Sequence, residues 1–296
     1  IGLPEMTDPS PLVATERLLA FQTPADLDDA YENRIHIPNA DWHLAAWPKD
    51  AATFRKSFAG AYLNLAYGSS KRTYYDLFTP EGGIEAACGL AAFVHGGYWV
   101  ALSKDDFSHM AAGLLARGWA VAILGYTLAP QARITQITRE ISTAIEHLSK
   151  TGKGPLRLIG HSAGGHLVSR MMCDDINFGP VTTQRLDRVL SVSGLHDLRP
   201  LQRLAKNELW QLDYNESHAE SSLLRTPRPG IDLVCVAGAD ERPEFIRQNA
   251  ILPLVWQGLG ANCHSQLLAG HNHFTIIETM TRADSHLCEL VDCPLS

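Results

Sequence analysis

Leu156-Arg157-Leu158-Ile159-Gly160-His161-Ser162-Ala163-Gly164-Gly165-His166-Leu167 is the stretch whose reading decides the architecture. Its apolar opening, Leu156–Ile159, fits a buried strand, and the run from Gly164 to Cys173 reads as a helix. Between them lies G-x-S-x-G. A strand that turns at once into a helix puts the middle residue in a strained backbone. Glycines two before and two after keep side chains out of that turn. The turn would present the Ser162 hydroxyl at the carboxyl edge of a sheet and at a helix N-terminus, where developing negative charge is favoured. Ser162 is therefore the expected nucleophile.

Working outward, the same strand-then-helix rhythm repeats. Strands are expected at Thr73–Phe78, Gly89–Val94, Trp119–Leu124, Val189–Val192, Ile231–Val236 and His264–Leu268. Ile134, Ile137, Ile141, Ile145 and Leu148 form one apolar stripe on a helix that ends near Gly152. Helices are also expected over Phe245–Leu259 and Thr275–Leu290. Short apolar runs alternating with helices predict an α/β fold with a mostly parallel sheet covered on both faces. The segment 198–229 interrupts the alternation. It is polar with scattered Leu and Trp210, and reads as a lid-like excursion above the carboxyl edge. Residues 1–60 read as a helical arm packing on a catalytic domain at 61–296. Apolar positions from Thr15 to Tyr31 lie near helical spacing, interrupted by Pro24, and Tyr31, Trp42, Trp47 and Phe54 are expected to clamp the arm down.

Composition narrows the classes. Of 296 residues, 45% are hydrophobic and 19% charged, which excludes a disordered chain. The 25 Lys+Arg against 32 Asp+Glu give a net charge of −7, so nucleic acid is not an expected partner. No apolar run reaches the roughly 18–20 residues of a membrane span. Ile1–Ser10 shows neither the basic nor the apolar region of a secretory leader, and a cytoplasmic location is expected. The six cysteines form no C-x-x-C pair and are expected as free thiols, with a Cys288–Cys293 bridge only in an oxidising compartment.

A serine hydroxyl needs a base within hydrogen-bond reach and donors for the oxyanion of its tetrahedral intermediate. His95-Gly96-Gly97, after Gly89–Val94, offers backbone amides with no Cβ in the way, so Gly96, Gly97 and Ala163 are the expected oxyanion hole. Asp240, after Ile231–Val236, is the expected acid, with Asp197 and Glu241 as competitors. His273, just before the last helix, is the expected base, with His271 the fallback. Tyr98 and Trp99 are expected to wall the acyl pocket or else to pack under the lid. His166 is expected to be structural. His271 and His273 lack a third ligand at suitable spacing, so no metal is expected.

The chain resembles the α/β-hydrolase superfamily, whose triads run Ser…acid…His, and more narrowly the kynurenine formamidase (arylformamidase)-like esterases. The matching residues are Tyr75-Asp76-Leu77-Phe78, His95-Gly96-Gly97-Tyr98-Trp99, Gly160–Leu167, Ser193-Gly194-Leu195-His196-Asp197-Leu198, Gly238-Ala239-Asp240-Glu241 and His273-Phe274, with Tyr31-Glu32-Asn33-Arg34 in the arm. It spans about residues 25–290, and H-G-G-Y-W rather than H-G-G-G points to this branch. The resemblance implies a Ser162–Asp240–His273 triad, an oxyanion hole at Gly96, Gly97 and Ala163, and no metal or organic cofactor.

The expected activity is that of a carboxylesterase acting on small esters through an acyl-enzyme. An aryl formamidase is the alternative, and a non-catalytic ligand receptor on the same fold is the reading from another class. Small-molecule esters or aryl formamides are the expected partners. The sequence leaves the oligomeric state open, with a homodimer one option.

Overall fold

The structure is a computed structural model and describes residues 24–292. The part of the arm before Pro24 and the Cys293 half of the Cys288–Cys293 pair lie outside the described residues.

Eight strands form one sheet: β1 (Ala61–Ala66), β2 (Tyr74–Phe78), β3 (Leu90–Val94), β4 (Ala120–Leu124), β5 (Leu156–His161), β6 (Leu186–Val192), β7 (Asp232–Gly238) and β8 (Cys263–Leu268). Their spatial order is β1-β2-β4-β3-β5-β6-β7-β8. β2 runs antiparallel to β1 and β4; β3 to β8 are all parallel. β3 and β4 are buried at every position, which is why they read as unbroken apolar runs. Along β3, Leu90, Ala92 and Val94 join the core on one face, while Ala91 and Phe93 join the core on the other. β1 escaped the sequence reading. It is an edge strand, mostly exposed, with a bulge between Tyr62 and Leu65 and Asn64 at φ 56°. An edge strand with no buried face carries no alternating signal.

The principal helices are α1 (Pro24–Tyr31), α2 (Ala40–Ser57), α3 (Ile134–Leu148), α4 (Ala163–Arg170), α5 (Pro243–Gln257), α6 (Thr275–Glu278) and α7 (His286–Asp292). All five residues of the α3 stripe are fully buried. The last helix is not continuous as expected but broken between α6 and α7. The hydroxyls of Thr279 and Thr281 bond back to the carbonyls of Ile276 and Glu278, and Ser285 Oγ accepts from the amide of Cys288. Such local side-chain bonds compete with helix continuation and restart the helix at Ser285. Segment 198–229 is a string of short helical turns.

In the arm, Tyr31 and Trp47 are buried, and Phe54 packs on Phe58 and Phe78; Trp42, by contrast, is exposed. Glu278 pins α2 down, accepting from Trp47 Nε1 at 2.8 Å and pairing with His43 Nδ1 at 2.6 Å. Among the described residues no helix is long and apolar enough to cross a membrane.

The parallel strands position the site. β3 ends before His95-Gly96-Gly97, β5 before Ser162, β7 before Glu241 and β8 before His273. Because all four run the same way, residues scattered over almost 180 positions of sequence converge on one edge.

Candidate active site

Ser162 sits at φ 57°, ψ −118°, a left-handed backbone that costs a serine about 1–3 kcal/mol. The surrounding fold holds it there. Its amide donates to Val192 of β6 at 2.8 Å. A Cβ on Gly160 would lie 2.1 Å from the Gly164 oxygen, and one on Gly164 would lie 2.0 Å from the Val94 oxygen. Both glycines are thus demanded by close backbone packing at the turn.

His273 is buried, and its Nδ1 lies 2.7 Å from Glu241 Oε2. A carboxylate only accepts, so Nδ1 carries the proton and Nε2 presents the lone pair a general base needs. The second oxygen, Glu241 Oε1, accepts from Ser193 Oγ and from the amide of Gly238 at 2.8 Å. The carboxylate that faces the imidazole is therefore Glu241, and the expectation of Asp240 is corrected. β7 continues two residues past its expected end, to Gly238. A turn closed by the Glu241 amide on the Gly238 carbonyl, at 3.2 Å, then throws Asp240 into solvent and folds Glu241 inward. Asp197 is occupied elsewhere, paired with Arg199 at 2.8 Å. His271 faces a separate depression beside Arg282 and His286.

The loop after β3 is wound unusually. Gly97 has φ 103°, and Tyr98, Trp99 and Leu102 also have positive φ. The amides of Val100 and Ala101 both donate to the Gly97 carbonyl at 3.0 Å, and a Cβ on Gly97 would lie 2.3 Å from the Ala101 oxygen. Gly96 packs against Ser162, where a Cβ would come within 2.9 Å of the serine Cβ. Among the described residues nothing accepts from the amides of Gly97 or Ala163, the arrangement an oxyanion hole requires. His95 supports this loop from below. It stacks on Tyr126 at 4.3 Å, its Nδ1 bonds the Gly96 carbonyl at 2.7 Å, and burial pulls its pKa down to about 3, so it stays neutral.

Ser162, His161, Gly97 and His273 line one cavity of about 300 Å³. Tyr98, Trp47, Trp210 and Phe274 supply aromatic wall. Tyr98 is fixed at both ends, its hydroxyl donating to the Tyr31 carbonyl and its ring stacked 5.6 Å from Trp210. Trp99 does not share this role. It is fully buried beneath the excursion, against His166 and Trp210, and the expectation that it walls the pocket is corrected. At Trp99 the left-handed backbone turns the indole inward while its carbonyl accepts from Ala129 at 2.8 Å. His166 is buried with Nε2 bonded to the Glu220 carbonyl at 2.8 Å, as a structural residue should be.

The BD-FAE family model matches residues 75–227, more than half of the chain. The chain belongs to the BD-FAE family. A kynurenine formamidase of Drosophila melanogaster is 30% identical over 237 residues, covering 75% of this chain and 77% of its own. A kynurenine formamidase of Salmo salar is 27% identical over 253 residues, with 82% and 85% covered. A crystal structure from Silicibacter sp. TM1040, assigned provisionally as a thioesterase, superposes with a TM-score of 0.85 at 38% identity, covering 90% of this chain and 99% of that one. The fold is the α/β-hydrolase fold, and the protein is a hydrolase of the kynurenine formamidase-like esterase branch.

This BD-FAE member carries three charged residues around the cavity: Glu32, Arg34 and Lys206. Glu32 of the arm pairs with Lys206 of the excursion, whose ammonium also lies 5.1 Å from the centre of the Tyr98 ring. Sequence reasoning marked the Tyr31–Arg34 stretch only as part of the arm and did not single out Lys206. A lone lysine in a polar segment carries no signal until folding brings it to the mouth.

Proposed function

We propose that this protein is a serine hydrolase that cleaves small carboxylic esters through an acyl-enzyme on Ser162. The observation that carries the reading is the buried Glu241–His273 pair, whose imidazole lines the same cavity as Ser162. His273 Nε2 takes the Ser162 proton as the hydroxyl attacks the carbonyl. Glu241 holds the imidazole tautomer and stabilises the imidazolium. The oxyanion is received by the amides of Gly97 and Ala163 at the start of α4, each such donor being worth about 10²–10³ in rate. His273 then protonates the leaving group, and water repeats the cycle on the ester of Ser162. Tyr98, fixed at both ends, narrows the cavity, which favours small substrates.

Aryl formamide hydrolysis is the second reading. It is favoured by the aromatic wall of Trp47, Tyr98, Trp210 and Phe274, which suits a flat leaving group, and by the kynurenine formamidases among the relatives. A cytoplasmic location is proposed as well, supported by the five described cysteines that are free thiols, four of them buried.

Ser162→Ala should abolish turnover of p-nitrophenyl acetate, a fall of about 10⁶ in kcat, while the protein stays folded. Turnover surviving in that variant would remove the assignment. Parallel rates of the native protein on this ester and on N-formylkynurenine decide between the two readings.

A further inference from the structure

We propose that His161 is a positioning residue that ties the loop of the base to the strand of the nucleophile; the inference rests on the acyl-transfer reading above. His161 is the last residue of β5 and immediately precedes Ser162. Its ring is buried, and Nε2 donates to the backbone carbonyl of His273 at 2.8 Å, across 112 positions of sequence. The two imidazoles lie 4.7 Å apart, centre to centre, at 41°. Since a carbonyl only accepts, the His161 proton sits on Nε2 and its lone pair on Nδ1. Nδ1 has no partner among the described residues, and it faces Gly96, where a Cβ would lie 3.3 Å away. One ring is therefore wedged between the nucleophile turn, the oxyanion loop and the base loop.

Other anchors grip the base loop from its two flanks. Upstream, the His271 carbonyl accepts from the Asp240 amide at 3.1 Å. Downstream, Asn272 Oδ1 accepts from the amides of Phe274 and Thr275 at 2.9 and 3.0 Å. Glu241 fixes the ring of His273, whereas His161 fixes its backbone relative to Ser162. Burial first, and the neighbouring His273 second, push the His161 pKa well below that of an ordinary histidine. The ring thus remains neutral and keeps its donor while His273 takes up a proton. His161 exchanges no proton in the reaction; it acts through His273.

The test uses His161→Leu, which keeps bulk and loses the donor, and His161→Gln, whose amide restores one. The readouts are the acylation rate with p-nitrophenyl acetate and the competitive Ki of 4-nitrophenol. His161→Leu should slow acylation by about 10–100-fold, as expected for a misplacement near 1 Å, with Ki changed less than about twofold. His161→Gln should recover most of the rate. Wild-type acylation in His161→Leu overturns the proposal, as does an equal loss in both variants. If His161→Leu does not fold, His161→Asn replaces it, its amide being too short to reach. A slow Asn variant beside a fast Gln variant supports the role, and equal rates overturn it. An active Ser162→Ala would sink the acyl-transfer reading itself; an inert Ser162→Ala with an unaffected His161→Leu removes only the role of His161.

Discussion

Two regions meet at the cavity: the carboxyl ends of β3, β5, β7 and β8, and the roof laid over them by residues 32–47 and 204–210. At the strand ends, position is set by backbone. Gly160, Gly164 and Gly97 have no room for a Cβ, and Glu241 has both oxygens hydrogen-bonded. The roof is held by side chains alone at many of its joints. Glu32 pairs with Lys206, and Glu278 takes Trp47 and His43. The first arrangement tolerates almost no displacement. The second bends at the cost of single contacts, so chemistry and selectivity are built to different tolerances.

The contrast is broken or sharpened by substitution. The largest effect is expected at the strand end: Glu241→Ala should lower kcat on the ester by about 10⁴, while Asp240→Asn leaves it unchanged. A loss at Asp240 with none at Glu241 would reverse the assignment of the acid. An intermediate effect is expected where the arm is pinned. Glu278→Ala leaves the Trp47 N–H without its acceptor and should lower unfolding stability by about 1–3 kcal/mol, read from the urea midpoint, with kcat retained. An unshifted midpoint would show that the arm is held by packing alone. The smallest effect is expected at the mouth. Lys206→Met removes a half-exposed ion pair worth about 0–1 kcal/mol, so KM should move less than about tenfold and kcat not at all. A large fall in kcat there would mean that the roof also orders the strand ends.

Sequence legibility divides along the same line. β3, β4 and α3 were readable because complete burial leaves an unbroken apolar run or a single stripe. Ser162 and Gly97 were readable because their strand ends carry glycines with a steric cause, and His273 because it follows the last strand and directly precedes the helix start at Phe274. Asp240 was preferred over Glu241 because a one-residue choice depends on where β7 stops and which turn follows. Two adjacent acidic residues give no pattern that distinguishes them. Trp99 was misplaced for a related reason, since the inversion of its backbone depends on the whole winding of the loop from Gly97 to Leu102. The roof was the least legible part. Its short turns are stabilised by partners far away in sequence, such as Asp28 accepting from the Ala205 amide at 2.9 Å.

The union of arm and excursion has an evolutionary consequence. Glu32 precedes the glycine-rich loop and Ser162 in the chain, Lys206 falls between Ser162 and Glu241, and neither is proposed to supply a reacting atom. Insertions, trimming or exchange of these two segments can therefore remodel what enters the chamber while leaving the reacting groups where they are. A scaffold divided in this way can acquire new substrates by altering its doorway.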